Sequence, residues 1–281
     1  MREYSTYSDI ILPMIQRTRN FIKDIYDKRS ILYELAKRDF QQQYMGSYLG
    51  FVWIYLQPLL FISVLYVVFT FGFRTGSSAE GVPFVVHLIS GMIAWFYIAE
   101  NLNAGVLAIK SHAFLLKKVD FRLSLLPIVK LMSSFAPHLF FIFIAIAIAA
   151  LNGVYPSFYL LQLVYYFIAM LTLLLGMAWL TSSTNIFVSD VSKIIGVIVT
   201  FGFWLTPVFW DISKIPEKYQ WLVQLNPAAY IVEGYRDSII NHIGFWEKPY
   251  QTLYFWIFTA LVMRIGIKVF QKLRPHFAEV V

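Results

Sequence analysis

The chain has 281 residues, of which 59% are hydrophobic and only 14% charged, and its mean hydropathy is +0.63. Globular proteins run at about 45–50% apolar and about 25% charged, so this composition excludes a soluble enzyme and implies a multi-span membrane protein. The formal net charge of +7 then reads as a topology signal and as contact with membrane lipids, with no nucleic-acid partner. The absence of cysteine removes disulfides, a thiol nucleophile and cysteine metal sites.

Residues 1–29 carry many charges and no uninterrupted apolar run, which predicts a cytoplasmic N-terminal segment and not a cleavable signal peptide. Residues 30–47 (SILYELAKRDFQQQYMGS) predict an interfacial helix. At about 100° per residue, Ile31, Leu32, Leu35, Ala36 and Phe40 fall on one arc, and Glu34, Lys37, Arg38 and Gln41 on the other. Such a helix lies in the headgroup layer. Asp39 and Gln43 interrupt its apolar arc.

A helical span needs about 20 largely apolar residues. Six stretches qualify as candidates: 49–73, 83–108, 126–151, 158–186, the short 194–210, and 250–270. They form one all-α integral membrane domain over 1–281, with no soluble domain between spans. Pro58 removes one backbone bond from the first span and predicts a kink there. Glu100, flanked by Asn101 and Asn103, falls inside the second span. A carboxylate at that depth costs a few kcal/mol unless paired or hydrated, so it is either a structural acceptor or part of a pathway. Lys130 and His138 in the third span carry the same two readings, with Lys130 able to snorkel to the surface.

Lys and Arg concentrate before the first span (Arg2 to Arg38), between the second and third (Lys110, Lys117, Lys118, Arg122), at Lys193 and in the tail, and are sparse in the alternate loops. This predicts both termini in the cytoplasm. The loop 110–122 has an amphipathic core, AFLLKKVDF, able to offer Phe114, Leu115 and Leu116 to a groove on a cytoplasmic protein. FVSDVSK (187–193) is a shorter turn on the same side. For both, a plain surface connection is the alternative.

The region 211–248 lies outside the cytoplasm in this scheme. Pro216 and Pro227 break it, and it holds two helical phrases, KYQWLVQL and AAYIVEGYRDSII. Both are too short to cross. Each is either a re-entrant helix capping a pathway, since irregular backbone at membrane depth survives only within protein or beside water, or part of an interfacial loop. No GxxxxGK[ST], HExxH or GxSxG motif occurs, and the five His are scattered, so no metal site, hydrolytic site or phosphate-binding loop is predicted. Aromatics make up 19% of the chain. Those inside spans, Trp53, Tyr55, Trp95 and Trp204 among them, suit either a lipid-facing belt or flat surfaces for sugar rings.

The segments ELAKRDFQQQYMGSYLGFVWIYLQPLL (34–60), SGMIAWFYIAENLN (90–103), LLKKVDFRLSLLPIVKL (115–131) and FWLTPVFWDISKIPEKYQWLVQLNPAAYIVEGYRDSII (203–240) resemble the permease subunit of ABC-2-type polysaccharide exporters. The resemblance covers nearly the whole length, from about 31 to about 270. It implies a homodimer in the bacterial inner membrane with two copies of a separate ATPase. ATP and Mg would sit on that partner, with no cofactor in this chain. The cargo would be a polysaccharide on a polyprenyl diphosphate lipid, such as O-antigen or teichoic acid. The interface helix and the 110–122 coupling helix would meet the ATPase, with Arg38, Asp39, Leu115, Lys117, Lys118 and Asp190 as contacts. Trp53, Tyr55, Trp95, Glu100, Trp204 and Phe209 would line the pathway, and Tyr219, Trp221 and Tyr230 would form the extracytoplasmic gate. The alternatives are a membrane glycosyltransferase or polymerase acting on lipid-linked sugars, and a lipid or drug exporter of the same architecture.

Overall fold

A computed structural model describes residues 21, 23–42, 48–73, 81–115 and 122–280. Every regular element within them is helical. This is the expected solution for apolar runs whose backbone groups have no water to bond. The principal ones in chain order are α1 (Arg29–Gln42), α2 (Val52–Val67, opening into a π-turn at Val68–Gly72), α3 (Phe84–Val106), a 3₁₀ turn (Lys110–Leu115), α4 (Leu126–Ser133), α5 (Phe135–Leu151), α6 (Gln162–Phe187), α7 (Asp190–Leu205), α8 (Glu217–Gln224), α9 (Pro227–Arg236), α10 (Pro249–Leu273) and α11 (Phe277–Val280). Pro58 sits inside an otherwise continuous α2.

Five stretches among the described residues are long and apolar enough to cross a membrane: Val52–Gly72, Phe84–Val106, Leu123–Leu151, Phe158–Phe187 and Pro249–His276. The stretch expected as a further span at 194–210 becomes α7, which begins earlier and ends at Leu205 after 16 residues. At about 1.5 Å per residue that is about 24 Å, short of a hydrocarbon core of about 30 Å. Its end has a local cause. Thr206 adopts extended backbone (φ −93°, ψ 141°) because a residue before proline, here Pro207, is sterically pushed out of the helical region. The stretch expected at 126–151 is one run of two helices meeting at Ser134. Pro137 supplies no N–H for the Ser133 carbonyl, and the helix breaks just before it.

α3 is the axis of the bundle. It packs against α2, α5, α6, α7 and α9, and 78% of its apolar window is buried, against 11% for the α2 run and 22% for α10. α10 leans on α6, and small residues set their spacing. A Cβ on Gly266 would overlap the Gly176 carbonyl, and one on Gly176 would lie 3.0 Å from the Met263 Cα. Close backbone approach of this kind drives helix association where lipid supplies no hydrophobic contrast. Gly266→Val is expected to force α6 and α10 apart at a cost of about 1–3 kcal/mol. Thermal unfolding of the detergent-solubilised chain checks this: a clear drop in midpoint is expected, and an unchanged midpoint would refute the close approach.

Candidate functional site

One end of the bundle is organised by α1. Leu32, Ala36 and Asp39 recur every three or four residues and form its buried face, with Leu32 and Ala36 packed on Leu125 and Val129. Asp39 ion-pairs with Lys130 of α4, and both side chains are buried. Asp39, one of the two residues that interrupt the apolar arc of α1, therefore helps fasten it to the bundle, and Lys130 turns inward instead of toward the surface. A second tie joins Asp24 to Arg122. Arg38 lies on the exposed face of α1.

The 3₁₀ turn Lys110–Leu115 follows α3 directly. His112 is buried there, its Nδ1 3.0 Å from the Ala108 carbonyl oxygen, and burial lowers its pKa and favours the neutral ring. Phe114 is exposed. The side chain of Leu115, and Lys117 and Lys118 entirely, lie outside the described residues. Asp190 opens α7 on an exposed pair with Lys193 at 2.9 Å, a geometry that contributes little to stability in water. The turn before it is held by Asn185, whose Nδ2 donates to the Val106 carbonyl (3.2 Å) and whose Oδ1 accepts from the Ser192 N–H (3.3 Å).

The aromatic residues inside the spans do not share one surface. Trp53 and Trp204 are exposed, at 39% and 56%, whereas Trp95 and Phe209 are buried. Tyr55 packs on Phe140 at 4.3 Å between centroids. Trp95 packs on Phe203 (6.1 Å) and lies against Gly202, where a Cβ would come within 2.9 Å of its ring. Phe209 joins Phe69 (5.1 Å) and Phe203 (5.4 Å) in the core. Glu100 is half-buried on α3.

At the opposite end α8 is largely exposed and buries no residue. Tyr219 and Trp221 both face outward. Tyr230 of α9 is clamped. Its hydroxyl lies 3.0 Å from both the Tyr165 hydroxyl and the Thr252 Oγ1, and its ring stacks on Phe255 at 4.6 Å. Asn226 caps α9, its Oδ1 accepting from the Ala228 N–H at 3.0 Å.

α9 also carries a buried charge network that composition did not single out. Arg236 is 2% exposed. Its Nη1 donates to Glu233 Oε1 at 2.6 Å, and its Nη2 donates to the Val208 carbonyl. Burial raises the pKa of the Glu233 carboxyl, against the pull of Arg236. Asp237 pairs with Lys248 and accepts from Asn241 Nδ2 at 3.1 Å. Tyr235 reaches His138 of α5, hydroxyl to Nε2 at 2.8 Å. The sequence signals for this network were His138, an ionisable residue inside a span, and three charges at 233, 236 and 237 inside an apolar phrase. Asp211, just beyond α7, is pushed up by burial, but the Ser213 N–H, the Ser213 hydroxyl and the charges of His87 and Arg236 hold its pKa below the usual value.

A profile of the family described as ABC-2 type transporter matches residues 31–240. The O-antigen export system permease protein RfbA of Klebsiella pneumoniae is 25% identical over 253 residues, 89% of this chain and 94% of that protein. RfbA of Myxococcus xanthus is 23% identical over 261 residues, 92% of this chain and 98% of that protein. The polysialic acid transport protein KpsM of Escherichia coli is 19% identical over 242 residues, 84% of this chain and 91% of that protein. The family match spans well over half of the sequence, and the chain belongs to the ABC-2 type transporter family.

The Asp39 and Lys130 pair yields a direct test. Removing one partner of a buried pair leaves an uncompensated charge and costs about 3–5 kcal/mol, whereas removing both is far milder. Asp39→Asn and Lys130→Met are each expected to lower the thermal midpoint of the purified chain strongly, and the double variant is expected to recover much of the loss. Additive losses would show that the pair does not fasten α1.

Proposed function

We propose that this ABC-2 type transporter chain is the membrane subunit of an ATP-driven exporter in the bacterial inner membrane. It works as a homodimer with two copies of a separate ATPase, which holds ATP and Mg. The cargo is a polysaccharide carried on a polyprenyl diphosphate lipid, of the O-antigen, capsule or teichoic-acid kind. The names of the O-antigen and polysialic acid relatives support the cargo class, and the distribution of Lys and Arg supports cytoplasmic termini.

The observation that carries the reading is the edge made by α2 and α7. Both pack on α3, and the Phe61 and Phe203 rings meet at 5.8 Å between them. Their outer faces carry apolar stripes at helical spacing: Leu60, Val64, Val68 and Phe71 on α2, and Ile194, Val197, Phe201 and Trp204 on α7, all exposed. Two copies meeting along such an edge would enclose an apolar, aromatic passage, with α7 and the buried backbone that continues it through Val208 together completing the span count at six. Trp53 and Trp204 are then candidates to meet the cargo. Trp95 and Phe209, being buried, back the wall instead. Glu100 is assigned to the pathway on its partial exposure and on having no hydrogen-bond or ion-pair partner among the described residues.

α1 and the turns after α3 and α6 would receive the ATPase. The buried Asp39 to Lys130 pair would pass a displacement of α1 to α4, with Arg38 and Asp190 offered to the partner and Asp39 acting from behind. A re-entrant role for α8 and α9 is supported by α9, which buries Ala229, Ile231, Val232 and Tyr235 against α3, α6 and α10 without being long enough to span.

Co-expression with the ATPase, purification in mild detergent and measurement of subunit ratio and ATP turnover test the assignment. A two-plus-two complex whose turnover responds to lipid-linked polysaccharide is expected, and a chain that purifies alone and binds no ATPase would overturn it. The cysteine-free sequence also allows a clean crosslinking test. Val64→Cys and Val197→Cys are expected to give covalent dimers in membranes, and Ile257→Cys on α10 is expected to remain monomeric. The reverse pattern would move the dimer contact off the α2 and α7 edge.

A further inference from the structure

A cavity of about 750 Å³ opens between α1, α3, α4, α5, α6 and α10, within the range of pre-formed small-molecule sites, about 300–1,000 Å³. None of its walls belongs to α2 or α7, so it is separate from the edge assigned to the cargo. Along α6 it extends from Phe167 to Leu175, about 12 Å at about 1.5 Å per residue. It is a slot parallel to the spans. Ile168 and Phe135 at its rim are exposed, so it opens sideways, toward what would be lipid.

The polar groups in its walls are already satisfied by the protein. The Tyr97 hydroxyl donates to the Leu131 carbonyl at 2.7 Å, the Ser133 hydroxyl to the Lys130 carbonyl at 2.8 Å, and the Thr172 hydroxyl to the Ile168 carbonyl at 2.8 Å. A sugar or peptide placed there would leave its own donors and acceptors unpaired, at a cost of about 1–3 kcal/mol each. A hydrocarbon chain would not. The chemistry changes only where α1 crosses the mouth. Lys37 lines the cavity there, is exposed, and has no ion-pair or hydrogen-bond partner among the described residues. Tyr33 stands one helical turn before it, 60% exposed, and can present its hydroxyl at the same level.

We propose that this cavity is the site of a resident anionic glycerophospholipid of the cytoplasmic leaflet, its acyl chain in the slot and its phosphate on Lys37. The leaflet assignment rests on the orientation proposed above. A single cation suits the single negative charge of a phosphodiester better than a diphosphate, and the position away from α2 and α7 separates this lipid from the cargo. Seated between α1 and the spans, it acts as a filler at the joint that the Asp39 and Lys130 pair closes.

The test uses the chain purified with its ATPase, stripped of lipid in detergent and then given phosphatidylglycerol or phosphatidylcholine, with bound lipid counted by native mass spectrometry. One phosphatidylglycerol per chain is expected, favoured over phosphatidylcholine by about fivefold, the equivalent of about 1 kcal/mol for one cation near a membrane surface. Lys37→Gln is expected to erase the preference while leaving some binding of either lipid. Ala136→Trp, which fills the slot from its rim, is expected to abolish both. Lys37 is exposed, so its variant carries the test even if the bulkier one fails to assemble. An unchanged preference in Lys37→Gln would overturn the proposal. So would efficient displacement of phosphatidylglycerol by an equal concentration of a polyprenyl phosphate, which would assign the slot to the cargo lipid. ATP turnover of the unmodified complex with lipid-linked polysaccharide, measured alongside, keeps the export reading separately testable.

Discussion

Backbone that leaves the helical state among membrane spans has to find its hydrogen bonds inside the protein, and one arginine meets that demand here. Pro207 ends α7 early, and the chain continues in irregular backbone through Val208, which is fully buried. The Val208 carbonyl accepts from Arg236 Nη2. A guanidinium carries five donors and no acceptor, so the same side chain also binds Glu233, which balances its charge. Its approach depends on an absence. A Cβ on Gly91 of α3 would overlap both the Val208 carbonyl and the Arg236 guanidinium. Gly91, Val208 and Arg236 thus lock α3, the end of α7 and α9 into one unit.

The lock distinguishes the two short helices between α7 and α10. α9 is tied at three levels, through Tyr230 to Tyr165 and Thr252, through Tyr235 to His138, and through Arg236 and Asp237 to the surrounding backbone and Lys248. α8 has no buried residue. It is held at its end by Tyr254, whose hydroxyl donates to the Leu225 carbonyl at 2.8 Å. Elements with few buried contacts open at low free energy. In the proposed exporter, movement at the exit would therefore fall to α8, with Tyr219 and Trp221, while Tyr230 belongs to the frame it moves against.

Which parts were legible in sequence follows the range of the interactions. The helices were readable because an apolar run of about 20 residues satisfies itself locally, and the observed ends of α3 and α6 lie within a few residues of the expected ones. α7 deviated for a reason one residue long, the Thr206–Pro207 junction. Asp39 looked like a flaw in the α1 stripe because its partner, Lys130, is 91 positions away. Arg236 could not be singled out among the charges of its phrase because its acceptor on Val208 is 28 positions back. The in-span aromatics were the least readable. The same ring type lies in the core at Trp95 and on the surface at Trp204, and only packing separates the two.

The two ends of the molecule are joined by an unbroken run of contacts through its interior. Asp39 holds Lys130. The next residue, Leu131, offers its carbonyl to the Tyr97 hydroxyl, while Ser134 and Asn101 bond each other across α3 and the α4–α5 junction, with Asn101 Nδ2 donating at 2.8 Å. The Tyr97 ring lies on His138 at 4.6 Å, and His138 reaches Tyr235 on α9. Packed interiors do not deform continuously, so a displacement of α1 has to be taken up somewhere along this run. The break at Ser134 is a place where the helix ladder already yields, with its hydroxyl bonded across to α3. A hinge there would let α4 follow α1 while α5 stays with α9. Contiguity by itself is not coupling, which is an energy shared between two sites. This path supplies the physical frame such an energy would need, and it places Ser134 and Asn101, rather than either end, at its centre.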